Sequence, residues 1–282
     1  WQENRKYISY RILTIPNKVH QLFVNLEVRK TIPLFEFIGK NAAIRRARGQ
    51  FILTSNADII FDPGIFKFLG KKRLLQSSFY RADRCDYHPI GKLEAGQQEM
   101  LDAMRKNVFK YFLRGDFYES EKYGFHTTLR WLRFRNSLAY LARLILRELD
   151  NTSFFNIRHI LIQPETFVHC NAGGDFMLMS KENYERLRGF PEDSYISTHV
   201  DSMMVYMAHT LGLRQRILSA PVYHQDHERR FIVDKKEEDP DVMRMYDRLQ
   251  NAIKTMIETK RPHITNDENW GLINHDLPDH IF

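Results

Sequence analysis

The sequence predicts an α/β protein: a mixed sheet flanked by helices, with a helical insertion and a C-terminal helical tail. Three observations predict it. Residues 40–62, KNAAIRRARGQFILTSNADIIFD, read as a helix, a glycine, a short apolar strand and an acidic loop. Residues 173–189 supply a second strand and helix, GGDFMLMS followed by KENYERLR and Gly189. The 282-residue chain is 43% hydrophobic and 27% charged, an ordinary globular composition that suffices for one large domain with insertions.

The elements follow in order. Tyr10–Ile15 is the early strand. In the next helix Ala43, Ile44 and Ala47 share one face, Arg45, Arg46 and Arg48 lie off it, and Gly49 stands at a left-handed C-cap. Phe51–Thr54 is an apolar run suited to a parallel strand covered on both faces. It leads into Asn56-Ala57-Asp58, and Asp62-Pro63 form the N-cap and first position of a new helix. A carboxylate at the carboxyl end of a parallel strand is where open α/β sheets hold ligands. FYRADRCDYHP (79–89) is the following strand, and residues 91–160 are a mostly helical insertion. The strand–helix rhythm returns from Phe167 to Leu218. Ser180 caps its helix, with Glu182 in the first turn. Val200, Met203, Met204, Met207 and Leu211 form an apolar stripe, with Thr198 as N-cap and Asp201 at the third helical position. A helix after Asp234 ends near Lys260, and a Pro/Asn-rich tail closes the chain. The expected divisions are 1–90, 91–160, 161–234 and 235–282.

The net charge of +7 attracts phosphates, anionic lipid or nucleic acid. Much of it lies in 103–147, where residues such as Arg130, Arg133 and Arg135 interleave with Trp131, Phe134 and Tyr140. Thr127–Leu149 reads as one or two amphipathic helices, which either lie on a membrane surface or pack on the core through their aromatics. No nucleic-acid motif accompanies the charge, so nucleic acid is not an expected partner. Two cysteines, Cys85 and Cys170, make no framework, and no C-x-x-C zinc pattern exists; a reducing, cytoplasmic setting is expected, peripheral on a membrane if the basic helix docks. No apolar run reaches the ~18–20 residues of a span, and no signal-peptide pattern opens the chain. The chain opens at Trp1 rather than Met, as a fragment of a longer protein does.

Three constellations can carry chemistry. Asp58 is a loop carboxylate at a strand end. Asp201 is an acid in a first helical turn, either a dipole and capping partner or a functional base. Val222-Tyr223-His224-Gln225-Asp226-His227 sets two histidines three apart, for a metal, a phosphate or packing. Gly173 and Gly174 permit a close backbone approach before Asp175.

Residues 40–62 and 167–230 together resemble the nucleotide-sugar glycosyltransferases of the GT-A fold, in the family-2-like group. Asn41, Ala43, Ala47 and Gly49 match that family's N-x-G/A-x-x-x-A-x-G helix, and Asn56-Ala57-Asp58 stands where it has D-x-D. An Asn in place of the first acid removes one charge and puts more weight on Asp58. GGDFMLMS, GFPE (189–192) and THVD (198–201) match the family's later blocks in order. The resemblance implies a Rossmann-like GT-A sheet whose first nucleotide-binding strand is missing or degenerate here. It implies Mn²⁺ or Mg²⁺ held by Asp58 and His224, with His227 touching one of those ligands or a phosphate. Asp201 would be the general base, and Asn41, Asn56, Gly173, Gly174, Asp175 and Glu192 would contact donor or acceptor. ITNDENWGL (264–272) resembles an N-D-E-x-W-G ending, folded back near the site, in which Trp270 stacks on a sugar or anchors the surface. The implied activity is metal-dependent, inverting transfer of a sugar from a nucleotide-diphosphate donor to a hydroxyl of a glycan or lipid-linked acceptor. The alternatives are an inactive membrane-apposed scaffold of the same fold, and a phosphoesterase using Asp58, His224, Asp226, His227 and a second metal.

Overall fold

The structure, a computed structural model, describes residues 8–20, 22, 36–91, 96–114, 116–119, 124–150, 168–192, 199–227 and 240–281. Strand β1 (Arg11–Leu13) and the helical turn α1 (Asn17–His20) come first. Helix α2 (Glu36–Arg46) buries Phe37, Ile38, Asn41, Ala42 and Ile44. Because it starts well before Ala43, the Phe37–Asn41–Ile44 spacing sets the inner face, and Ala43 is exposed. The helix ends at Arg46, so Gly49 lies beyond the cap; the described glycines with positive φ are Gly189, Gly212 and Gly271.

Strand β2 (Phe51–Thr54) and strand β3 (Ile59–Phe61) flank the Asn56–Asp58 loop. Helix α3 (Pro63–Leu69) begins as its sequence requires: Asp62 Oδ1 accepts from Gly64 N at 2.8 Å and Pro63 occupies the first turn. The stretch 79–89 is two strands, β4 (Ser78–Arg81) and β5 (Arg84–Tyr87), separated by Ala82-Asp83. The insertion is not all helix. Between α4 (Gln97–Lys106) and α5 (Phe125–Asp150) a hairpin, β6 (Val108–Leu113) and β7 (Asp116–Glu119), extends a sheet. Residues 151–167 lie outside the described residues.

A 3₁₀ turn at Gly173–Asp175 leads into β8 (Met177–Ser180) and α6 (Lys181–Leu187), where Ser180 Oγ accepts from Asn183 N. Arg188 and Gly189 then take left-handed conformations and stop the helix, as expected for this glycine. Helix α7 (Val200–Thr210) is nearly all buried, including the expected Val200, Met203, Met204 and Met207. Its N-cap is His199, with φ +64°, so Asp201 is the second helical residue rather than the third. Thr198 lies outside the described residues. Strands β9 (Arg214–Ile217) and β10 (Val222–Gln225), helix α8 (Pro240–Thr259) and β11 (Asp279–Ile281) complete the chain.

Two mixed sheets form the body, in orders β2-β8-β4-β9 and β3-β10-β5-β6-β7. One pair in each is parallel, β4 with β9 and β10 with β5; the other pairs are antiparallel. Three segments pass from the first sheet to the second: β2 to β3, β4 to β5, and β9 to β10. The crossing is stitched by Leu218 N to Arg81 O and Val222 N to Asp83 O, both 2.8 Å. The Asn56–Asp58 loop lies on this line. Among the described residues β2 pairs only with antiparallel β8, and it is half-buried, so it differs from the expected doubly covered parallel strand.

The main core gathers α2, α6, α7 and α8 around β8, through residues such as Phe37, Met177, Met179, Phe190, Met204 and Ile253. A second cluster packs the inner face of α5, Phe125, Leu129 and Leu132, on Cys85, Tyr111 and Tyr223. Strand β1 pairs with β11 and joins neither main sheet. Among the described residues, no helix is long and apolar enough to cross a membrane.

Candidate functional site

Strand β10 runs between β3 and β5, and the register places His224 opposite Ile59 on one side and beside Asp86 on the other. Asp58 immediately precedes β3, so pairing alone brings it to His224. Nε2 of His224 is 3.3 Å from Asp58 Oδ2, and Nε2 of His227, just past the strand, is 3.4 Å from the same oxygen. The three candidate ligand atoms lie within 4.8 Å of one another. The His224 side chain is 10% exposed, while those of Asp58 and His227 are 45% and 48% exposed, so the cluster has a rigid inner member and an open outer side.

Burial opposes ionisation of Asp58, but its own backbone hydrogen bond and the two imidazoles outweigh that, and its pKa lies below the ordinary carboxylate value. One carboxylate and two imidazoles are a divalent-metal donor set. The imidazoles suit Mn²⁺ better than Mg²⁺, which takes mainly oxygen. Asp86 lies behind His224: its Oδ1 is 3.5 Å from His224 Nδ1, a close approach in which Nδ1 completes no hydrogen bond. A carboxylate beside the second ring nitrogen is the arrangement that orients a histidine when its other nitrogen binds a metal. Arg84 holds Asp86 in turn, with Nε to Oδ1 at 2.6 Å and Nη2 to Oδ2 at 2.8 Å. Burial disfavours the Asp86 anion, yet Arg84 and His224 keep its pKa depressed.

The same arginine reaches the glycine turn. Arg84 Nη1 donates to Asp175 Oδ2 at 2.8 Å, and Asn56 Nδ2 donates to Asp175 Oδ1 at 2.8 Å. Lys40 Nζ donates to Asn56 Oδ1 and, at 2.9 Å, to Gly174 O, and it pairs with Glu36. Gly174 N donates to Asp201 Oδ2 at 2.8 Å. A side chain at Gly173 would place its Cβ 3.0 Å from both Cβ and Oδ2 of Asp201, tighter than ordinary van der Waals contact, so the close approach favours glycine there. Buried Arg81 fixes the turn from below, donating to the carbonyls of Asn171, Gly173 and Phe176. Hydrogen bonds thus join Asn56, Gly174, Asp175 and Asp201, and the close approach of Asp86 to His224 brings the Asp58 cluster alongside them.

The remaining expected contacts lie elsewhere. Asn41 is fully buried and bridges Phe190 and Glu192: Nδ2 donates to Phe190 O and Glu192 Oε1, and Oδ1 accepts from Phe190 N. Glu192 Oε1 also accepts from Gly271 N at 2.9 Å, and its burial raises its pKa above the usual glutamate value. Trp270 sits in the core with Arg45 4.9 Å over its ring, so it presents no face to a sugar. The tail does fold back, but as a brace: Arg46 donates to the carbonyls of Gly271, Leu272 and His275. Asp175 is buried with both oxygens engaged, which leaves it a positioning role.

Lys40, Arg81, Arg84 and Asp86 are the members that sequence reasoning missed. Arg84 and Asp86 carried a signal, since residues two apart in a strand share a face. A cavity of about 430 Å³ lies apart from these residues, lined by Asp83, Arg114, Arg133, Asn136, Tyr140 and Ser219 among others. No family model matches this chain, and no curated protein does.

Proposed function

We propose that this protein is a metal-dependent glycosyltransferase of the GT-A type, moving a sugar from a nucleotide-diphosphate donor to a hydroxyl acceptor with inversion. The observation that carries this reading is the Asp58–His224–His227 cluster, tied through Arg84, Asp175 and Asn56 to the glycine turn that holds Asp201. A divalent cation held by Asp58, His224 and His227 supplies positive charge to a departing diphosphate. The donor set favours Mn²⁺ over Mg²⁺. Asp86 and Arg84 keep His224 oriented. Asp201, at the start of α7, accepts the proton of the acceptor hydroxyl, and Lys40, Asn56 and Arg81 hold the turn against which it rests. The acceptor hydroxyl belongs to a glycan or a lipid-linked acceptor.

A hydrolytic reading is favoured by one observation, the donor set itself, because two imidazoles and a carboxylate with an open position also make a catalytic zinc site. One experiment separates the two. The protein is incubated with Mn²⁺ and a panel of nucleotide sugars, with and without hydroxyl acceptors, and nucleoside diphosphate release is measured. Release that rises with acceptor supports transfer. Equal release of sugar phosphate or nucleotide without acceptor supports hydrolysis, and no release with any donor sinks both.

A further inference from the structure

Helix α5 is apolar on two opposite sides. Phe125, Leu129 and Leu132 fill its inner face, while Trp131, Phe134, Leu138 and Leu141 are each more than half exposed on the other. The outer four recur at i, i+3, i+7 and i+10, one stripe about 15 Å long. Water-facing helices normally present polar side chains there, and a contiguous apolar stripe marks a surface that meets a partner.

The charge around the stripe identifies the partner. From Phe125 to Arg147 the helix sequence contains five arginines and no Asp or Glu. Arg133 turns inward, with its Nε 2.6 Å from buried Asp83. Arg130 and Arg135 are exposed beside the stripe. Arg135 lies 5.1 Å from the Trp131 ring and 4.5 Å from the Tyr118 ring, which fixes a cation between two aromatics at the stripe's edge. On β7, Glu119 is paired with Lys110 at 2.9 Å. Aromatic and aliphatic side chains bordered by arginines that no acid opposes among the described residues match the boundary between acyl chains and anionic headgroups.

We propose that the outer face of α5 docks the protein on an anionic bilayer, with Trp131, Phe134, Leu138 and Leu141 at the acyl boundary and Arg130 and Arg135 on lipid phosphates. The docking does not depend on the reaction proposed above. The test is co-sedimentation of the full chain with phosphatidylcholine vesicles, with or without phosphatidylglycerol. Binding is expected only with phosphatidylglycerol, and it weakens at least about tenfold between low salt and roughly 0.5 M salt. The Trp131→Ser/Phe134→Ser/Leu138→Ser variant replaces exposed residues, so its melting temperature stays near wild type while its vesicle affinity falls at least about tenfold. Arg130→Gln/Arg135→Gln weakens binding and flattens its salt dependence. Three results would overturn the proposal: no sedimentation with anionic vesicles, wild-type binding by the triple variant, or a wild-type dimer on size exclusion that the triple variant dissolves. The last would assign the stripe to a second copy of the chain.

Discussion

Asn56 Nδ2 donates to Asp175 Oδ1 at 2.8 Å, and this bond explains why an amide occupies the position where the resemblance expects an acid. Asp175 is buried and already paired with Arg84, so a carboxylate at position 56 would face a second carboxylate across a hydrogen-bond distance. Asn56 therefore positions the loop, and under the proposed function Asp58 rather than Asn56 would contact the metal. Asn56→Asp is expected to cost about 1–3 kcal/mol at neutral pH, with Lys40 on the other side offsetting only part. The paired carboxylates would have raised pKa values, so the variant's deficit shrinks as acid neutralises one of them. Melting temperatures of both proteins at neutral and mildly acidic pH check this; a deficit that stays constant with pH contradicts it.

The cluster predicts graded metal affinities. Asp58→Ala and His224→Ala each remove a candidate ligand, whereas Asp86→Asn only weakens the orientation of His224. Loss of the orienting carboxylate is expected to lower Mn²⁺ affinity by roughly 10–100-fold, and loss of a ligand by more. Affinity in the wild type should also fall with acid, since binding must displace protons from the imidazoles. Calorimetric titration with Mn²⁺ alone measures all of these. Equal affinity in wild type and Asp58→Ala removes the metal assignment.

What was legible in the sequence follows physical range. The caps at Asp62 and Ser180, the stop at Gly189 and the methionine face of α7 were readable because each depends on neighbours within one or two helical turns. The split of 79–89 into β4 and β5 was not, because it depends on which sheet each half joins. The β6–β7 hairpin was hidden for the same reason. Asp58 and His224 were found separately, but their meeting required the β3–β10–β5 register, which also supplies Asp86. Trp270 misled because its burial comes from a long-range contact: it packs against the Gly189 stop, where a Cβ would come within 2.7 Å of its ring.

Glu192 gives a pH signature. Burial raises its pKa above the ordinary 4.5, opposed by hydrogen bonds from Asn41 and Gly271. With the folded value raised, its stabilising contribution is fully present below the ordinary value and is lost as pH rises through the folded one. Glu192→Gln retains an Oε1 acceptor for both donors and cannot ionise. Its stability relative to wild type should therefore increase with pH from about 4.5 upward, read by denaturant unfolding across a pH series. A difference that is flat over that range contradicts the assignment.

Asp201 faces two roles, and one variant distinguishes them. Its Oδ2 accepts from Gly174 N and its Oδ1 from Ser202 N, each at 2.8 Å, so the carboxylate holds the glycine turn from the start of α7. Asn at this position keeps an acceptor oxygen for Gly174 N but loses most of the basicity. If Asp201 takes the acceptor proton, Asp201→Asn lowers turnover by about 10²–10⁴-fold, with donor and Mn²⁺ binding unchanged. If it only holds the turn, turnover stays near wild type and the cost is on the order of 1 kcal/mol of stability. Turnover and melting temperature measured on the same protein separate the outcomes. Near-normal turnover would remove Asp201 from proton transfer, and because Asp175 is engaged on both oxygens, the acceptor's proton would then have to leave to solvent or to a group outside this network.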